Sequence, residues 1–405
     1  MDRSVLDQLD PRVLGARLQD ARKAAGLIQQ VVADRMEMAR TTIVAIEKGE
    51  RRVTVPELLA FAKIYARPVS DLVSRRAVTE SFVPQFRATE RDTLAEHADF
   101  EAAAIELQRL AEDYAELERI TGVSPERSYP PPYEVSGASV EQFASYVASA
   151  ERNRLGLGDG PVGNLRERLE TDLGLRIFYF RMPSRVAGMF AFNDPLGACI
   201  GINVSHPRDR RHWSLAHEFG HFLVHRFRAE ITVLETRRRS SASERLADFF
   251  AEHFLMPAAG LERRFTEMAI NRPAGVTLAD IVGLADLYRV SVQAIILRLE
   301  TLRRLPAGTW DRLKIEGFKP QQAQRLLGIE ANPPLRETLP RRYVALAVEA
   351  FRRGELSEGQ LARYLRSDRV SARMQVEEAK WQIYSEQDEF AGLSDLDLAQ
   401  PLNGR

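Results

Sequence analysis

The chain has 405 residues, 44% of them hydrophobic and 28% charged, with 57 Lys/Arg against 57 Asp/Glu for a net charge of zero. That composition excludes a disordered or fibrous chain and gives room for two or three globular domains. No run of 18 apolar residues offers a membrane span, the lone Cys199 excludes an internal disulfide, and the opening Met-Asp-Arg-Ser lacks the apolar stretch of a secretory signal, so a cytoplasmic protein is expected.

The first predicted domain covers residues 1–78. Leu14, Leu18 and Arg22 share helical spacing in a helix that stops at Gly26, and Gln29 opens a second helix with Val32, Ala33 and Met36 on its apolar side. Over Arg40–Glu47, Ile43 and Ile46 face a core while Arg40, Thr41, Thr42 and Ala45 fall on the opposite side. Pro56 stands early in a further helix, where its missing N–H costs nothing.

This order of short helices resembles the Cro/repressor-type helix-turn-helix, often called XRE. The resemblance implies a recognition helix over Arg40–Glu47, with Arg40, Thr41 and Ala45 in the major groove of double-stranded operator DNA and Thr42 beside them. It places Gln29 on the backbone or a base edge, and Arg51 and Arg52 suit phosphate contact. The Thr usual before that glutamine is Ile28 here, which removes an N-cap. Basicity is mild, 14 Lys/Arg against 10 Asp/Glu over residues 1–76, so tight binding calls for a homodimer on two half-sites. The alternative is a solvated polar face on a small helical bundle.

Residues 79–137 read as an acidic helical linker. Leu94, Ile105, Leu107, Leu110 and Leu117 are spread among acidic residues of Ala88–Gly122, before Pro130-Pro131-Pro132, as a spacer or a dimerising helix. The next domain spans residues 138–302. Helices over Val140–Arg152 and Val162–Asp172 flank a groove. The short apolar runs Arg176–Phe180, Val186–Phe192 and Ala198–Asn203 predict a small antiparallel sheet. Ala198–Asn203 is taken as the edge that holds an extended peptide by main-chain pairing.

His217-Glu218-Phe-Gly-His221 follows inside a helical run. At i and i+4 both imidazoles point the same way and can hold one Zn²⁺, while Glu218, turned about 100° away, can reach a water on the metal. Glu244, Asp248 and Glu252 recur every four residues downstream, a mutually repelling stripe that a cation would relieve. Glu244 is assigned as third ligand and Asp248 as acceptor for the outward N–H of a ligating histidine. His225 lies one turn too far to share the ion, and His206, His212 and His253 read as surface or helix-end residues.

His-Glu-Phe-Gly-His followed by Glu-Arg-Leu-Ala-Asp-Phe-Phe-Ala and Phe-Leu-Met-Pro resembles the ImmA/IrrE-type zinc metallo-endopeptidases, which share a minimal gluzincin core. The resemblance implies His217, His221 and Glu244 as zinc ligands, Glu218 as general base, and Asp248 at the family's Asp/Asn position. It also implies a protein substrate, commonly a helix-turn-helix repressor.

Residues 303–405 form a helical region of open role, with Pro320–Leu327, Arg341–Arg353 and Leu361–Leu365 as helices and fraying after Gln387. The expected whole is mainly α with a small antiparallel sheet: a five-helix bundle, an α+β peptidase core and a helical C-terminal region. Two functions stay open. One is a DNA-binding transcriptional regulator that cleaves a repressor, or itself within Ser124–Ser136. The other is a DNA-binding or antitoxin-like regulator whose peptidase fold senses a ligand or partner without catalysis.

Overall fold

The structure, a computed structural model, describes residues 10–25, 27–65, 69–73, 82, 94–125, 127–135, 139–227, 230–233, 241–272, 275–330, 332–333, 335 and 337–377. Gly26, the first residues of the predicted 88–122 helix, Ser136 and the tail beyond Gln387 lie outside them.

The N-terminal bundle begins with α1 (Pro11–Ala24), where the Asp10 carboxylate accepts the Arg12 N–H at 2.9 Å and Pro11 holds the first position. Then come α2 (Gln29–Arg35), α3 (Arg40–Glu47), α4 (Val55–Ile64) and α5 (Val69–Val73). A capping box between Thr54 and Glu57 starts α4, whereas α2 begins after Ile28 without a side-chain cap. Leu14, Leu18, Val32, Ile43, Ile46 and Phe61 form a separate core for this bundle.

In α6 (Leu94–Thr121), Phe100, Ala103, Leu107, Leu110, Tyr114 and Leu117 are all buried. Their i, i+3, i+7 spacing makes one apolar stripe, and that stripe is covered by the chain itself rather than left bare as on a solvated spacer. The described residues fall into two compact units, drawn from Met1–Glu112 with Arg127–Pro334 and from Asp113–Glu126 with Leu335–Arg405.

In the larger unit α7 (Val140–Arg154) and α8 (Leu165–Leu173) precede a four-stranded sheet of β1 (Arg176–Phe180), β2 (Val186–Asn193), β3 (Gly197–Asn203) and β4 (Glu230–Val233). The sheet order is β1-β3-β2-β4. β2 is antiparallel to both neighbours, but β1 runs parallel to β3, with Arg176 opposite Cys199, so the sheet is mixed rather than wholly antiparallel. The strand expected at the edge, Ala198–Asn203, is central. Every residue of β3 is buried, as befits a strand paired on both sides and covered on both faces. The outer strands are β1 and β4.

Against the sheet lies α9 (Arg208–His225), followed by α10 (Ala242–Leu255), α11 (Ala258–Ile270), α12 (Leu278–Tyr288) and α13 (Val292–Thr301). Phe190, Ile200, Phe219, Phe222, Phe250 and Phe254 belong to the core that these elements share. Trp310 and Leu313 of α14 (Thr309–Ile315), Ala323 of α15 (Pro320–Leu326), and Leu305, Phe318 and Ile329 of their connections pack on that same core, which therefore continues past residue 302.

The smaller unit joins the end of α6 to α16 (Arg341–Arg352) and α17 (Glu358–Tyr364). Tyr343 packs edge-on to Tyr114 and donates its hydroxyl to Tyr364 O at 3.0 Å, while Arg353 donates to Thr121 O at 2.9 Å. No described helix is long and apolar enough to cross a membrane.

Candidate metal centre and DNA-facing surface

α9 turns polar residues inward. His217, Glu218 and His221 are each at most 2% exposed, against an otherwise apolar core. Charges so placed need compensation. Gly220 allows α10 to come close enough to supply it: a Cβ there would stand 3.0 Å from Phe250 Cδ1. The approach brings Glu244, in the first turn of α10, onto the two imidazoles.

His217 Nε2 and His221 Nε2 are 3.1 Å apart, and Glu244 places Oε2 3.4 Å from the first and Oε1 3.3 Å from the second. Zn–N and Zn–O bonds of ~2.0–2.2 Å at tetrahedral angles separate ligand atoms by roughly 3.3–3.6 Å. The triangle fits such an ion, slightly tight on the histidine edge, with a fourth position over. Among the described residues this is the one group of three or more His, Cys, Asp or Glu side chains gathered closely enough to hold a metal.

The electrostatics ask for positive charge at the same place. Burial opposes a charge on His217, but hydrogen bonds to Asp248 and Glu244 and the nearby Glu218 charge prevail and push its pKa up to about 10. Burial likewise works against ionised Glu244, yet its bonds to His217 and His221 hold its carboxyl well below the usual carboxylate range. Asp248 Oδ1 lies 2.9 Å from His217 Nδ1, on the side away from the cluster. Glu252, the third acid of the stripe, is not in the cluster and pairs with Arg298 at 3.1 Å.

Two residues that the sequence did not flag touch this centre. β2 passes behind Glu218 at Gly188, where a Cβ would meet Glu218 Oε1 at 2.6 Å. Ser243 Oγ lies 3.4 Å from His221 Nδ1 and 3.0 Å from His225 Nδ1. His206 and His212 are buried rather than at the surface, while His253 is half-buried in the last turn of α10, a helix-end residue as expected. His206 Nε2 is 2.8 Å from Ser184 O, and His253 Nδ1 accepts from Arg298 at 3.0 Å. Burial, with Arg289 and Arg208 nearby, holds His212 neutral with a pKa lowered to about 3.

Residues 170–300, which include all of these donors, match the family of the IrrE N-terminal-like domain, a peptidase family, and residues 13–73 match a helix-turn-helix domain. The chain carries an IrrE-like domain behind a helix-turn-helix domain. No curated protein matches the chain. Among solved structures, the apo form of ComR from S. thermophilus is similar at 11% sequence identity, over 78% of this chain and 95% of that one, with a TM-score of 0.15. So low a score carries no argument.

Ahead of the IrrE-like domain, α3 shows its polar side outward. Arg40 and Thr41 are exposed, Thr42 and Ala45 half-buried, and Ile43 and Ile46 buried. Glu47, at the end of α3, is the exception. It is buried and takes bonds from Arg22 Nε at 2.5 Å, Arg22 Nη2 at 3.0 Å and Gln29 Nε2 at 2.9 Å. Gln29 thus has one amide donor committed inside the bundle, tying α2 to α3. Arg51 binds Glu57 at 2.7 Å, beside the start of α4, and Arg52 is exposed.

Proposed function

We propose that this chain is a DNA-binding transcriptional regulator with a zinc-dependent endopeptidase that cleaves a repressor-type helix-turn-helix protein, in trans or in its own chain. The observation that carries the reading is the triangle of His217 Nε2, His221 Nε2 and Glu244 carboxylate, 3.1–3.4 Å on each edge, with buried Glu218 next along the helix. His217, His221 and Glu244 would hold a zinc ion there, and zinc would lower the pKa of a water towards ~7 and polarise a scissile carbonyl. Glu218 accepts the proton of the attacking water and passes it to the departing amide nitrogen. Asp248 takes the Nδ1–H of His217 and so keeps Nε2 turned to the cluster. Gly188 leaves the space in which the Glu218 carboxylate rests. With β3 enclosed, β4 is the outer strand on the Gly188 side, pairing Thr232 with Gly188, and offers its edge to an extended substrate.

On the DNA side, Arg40, Thr41, Thr42 and Ala45 read the major groove of operator DNA, Arg51 and Arg52 hold phosphates, and a homodimer spans two half-sites. Gln29 serves chiefly to brace the recognition helix through Glu47.

The test is metal content and cleavage on the full chain. One zinc per chain is expected, lost in His217→Ala. Glu218→Gln should keep the zinc and operator binding yet cut a co-expressed repressor at least ~10²-fold more slowly. A wild-type chain purified with zinc in the medium but holding none would sink the peptidase reading.

A second reading has its own observation. An open cleft of ≈ 540 Å³ beside α7 is lined by Pro131, Tyr133, Phe143, Tyr146 and Arg154. An aromatic cleft of that size suits a small ligand, so the IrrE-like domain would sense one without catalysis. Normal derepression by Glu218→Gln would favour it.

A further inference from the structure

The two histidines of the centre are braced from behind in different ways. His217 gives Nδ1 to the Asp248 carboxylate at 2.9 Å. The outer nitrogen of His221, also Nδ1, faces the Ser243 hydroxyl at 3.4 Å, and the same hydroxyl lies 3.0 Å from His225 Nδ1. His225 is four residues beyond His221 on α9, so both rings lie on one face, with centroids 6.1 Å apart and Ser243 bridging them. Capping of α10 falls to Ser241, which accepts the Glu244 N–H at 3.2 Å.

We infer that Ser243 and His225 form a hydrogen-bond relay that fixes the tautomer and tilt of His221 for metal binding. The inference rests on the zinc reading above. The direction of each bond follows from the roles. His221 presents Nε2 as a lone pair to the ion, so Nδ1 carries the hydrogen and donates to Ser243 Oγ. Ser243 then has its own O–H to give, and His225 Nδ1 accepts it. Removing the hydroxyl breaks both bonds, whereas removing the His225 ring takes away the group that accepts from Ser243. Both are positioning residues, and neither touches the ion.

The measurement is zinc affinity of the full chain by competition with a chromophoric chelator, with thermal melting of each metal-free protein alongside. Ser243→Ala and His225→Ala should each weaken zinc binding about 10-fold, at the lower end of the 10–100-fold range for such partners. Asp248→Ala, which removes a charged partner, should cost nearer 100-fold. The Ser243→Ala/His225→Ala double variant should lose no more than either single one, because the two act as one chain. Ser243→Thr, which keeps the hydroxyl, should bind zinc nearly as the wild type does. Wild-type affinity in both alanine variants, with zinc still lost in His217→Ala, overturns the relay and leaves the metal centre standing. Losses that multiply in the double variant overturn it equally. A wild-type chain that binds no zinc overturns the relay and the metal centre together.

Discussion

Helices α3 and α9 each carry the residues proposed to work in their domain, and they place polar residues in opposite ways. α3 exposes Arg40 and Thr41 to solvent and buries isoleucines. α9 buries His217, Glu218 and His221 at 2% exposure or less. An outward polar face costs the fold nothing and leaves those side chains open to a large ligand such as the proposed duplex. An inward one must be balanced inside the protein, by partners such as Asp248 and, on the proposed reading, by a cation. Substitutions on the outer face of α3 should therefore change binding without changing stability, and those around α9 should change chemistry through small displacements. Glu47 is the residue of α3 that behaves like α9.

The largest expected effect tests that exception. Glu47 and Arg22 form a buried pair at 2.5 Å, with side chains 2% and 10% exposed. Glu47→Ala leaves the Arg22 guanidinium buried without its carboxylate, which costs about 3–5 kcal/mol. Calorimetry of the full chain should show the helix-turn-helix transition shifted down, with operator binding lost along with it. The pair also fixes a pH dependence. Burial works against ionised Glu47, but bonds from Arg22 and Gln29 prevail and hold its folded pKa below the ordinary value. Its contribution is thus fully present above the unfolded carboxyl pKa of ~4.3 and is lost as pH falls through the lower folded value. An unshifted transition in Glu47→Ala would show that the buried pair adds nothing to stability and remove the exception.

Next comes Gly188→Ala, which probes how tightly α9 is held. The added Cβ would lie 2.6 Å from Glu218 Oε1, 3.0 Å from Cγ and 3.2 Å from Cδ, so the carboxylate must move. A displacement of that order should slow repressor cleavage about 10²-fold. Zinc content should stay at one per chain, since no donor atom is touched. Glu218→Asp in the same background withdraws the carboxylate from the new methyl and should recover part of the rate. Full activity in Gly188→Ala would show that Glu218 has slack.

Gly188 and Ser243 mark where the sequence stops being legible. The His217/His221 pair can be read because its meaning is local: four residues apart on a helix is one face. Glu244 can be read because three acids at i, i+4 and i+8 repel one another unless something positive meets them. Gly188 and Ser243 carry no such local pattern. Each matters through a side chain 30 and 22 residues away, across a sheet and across two helices. Strand order was illegible for a related reason. Arg176–Phe180, Val186–Phe192 and Ala198–Asn203 are all apolar runs without a polar alternation, so nothing in them marks an edge. The enclosure of β3 follows from β1 pairing across it in parallel, a non-local event. The buried stripe of α6 is present as spacing, but its many acids point to a spacer or a dimerising helix rather than to packing within the chain.

Arg40→Ala carries the smallest effect and tests the outer face of α3 most cleanly. Arg40 is exposed at the first position of the helix, so its removal should leave the melting temperature of the full chain unchanged, as for surface substitutions generally. A bidentate contact from an arginine to a base edge is worth about 1–3 kcal/mol of discrimination. Binding to the preferred operator should weaken by that amount relative to scrambled DNA, measured at fixed salt. Arg52→Ala should instead weaken operator and scrambled DNA alike and flatten the salt dependence by about one charge, because a phosphate contact holds no sequence information. If Arg40→Ala lowers both affinities equally, Arg40 is a phosphate ligand and base reading falls to Thr41, Thr42 and Ala45. If it lowers the melting temperature, the outward face of α3 supports the fold after all, and the contrast with α9 fails.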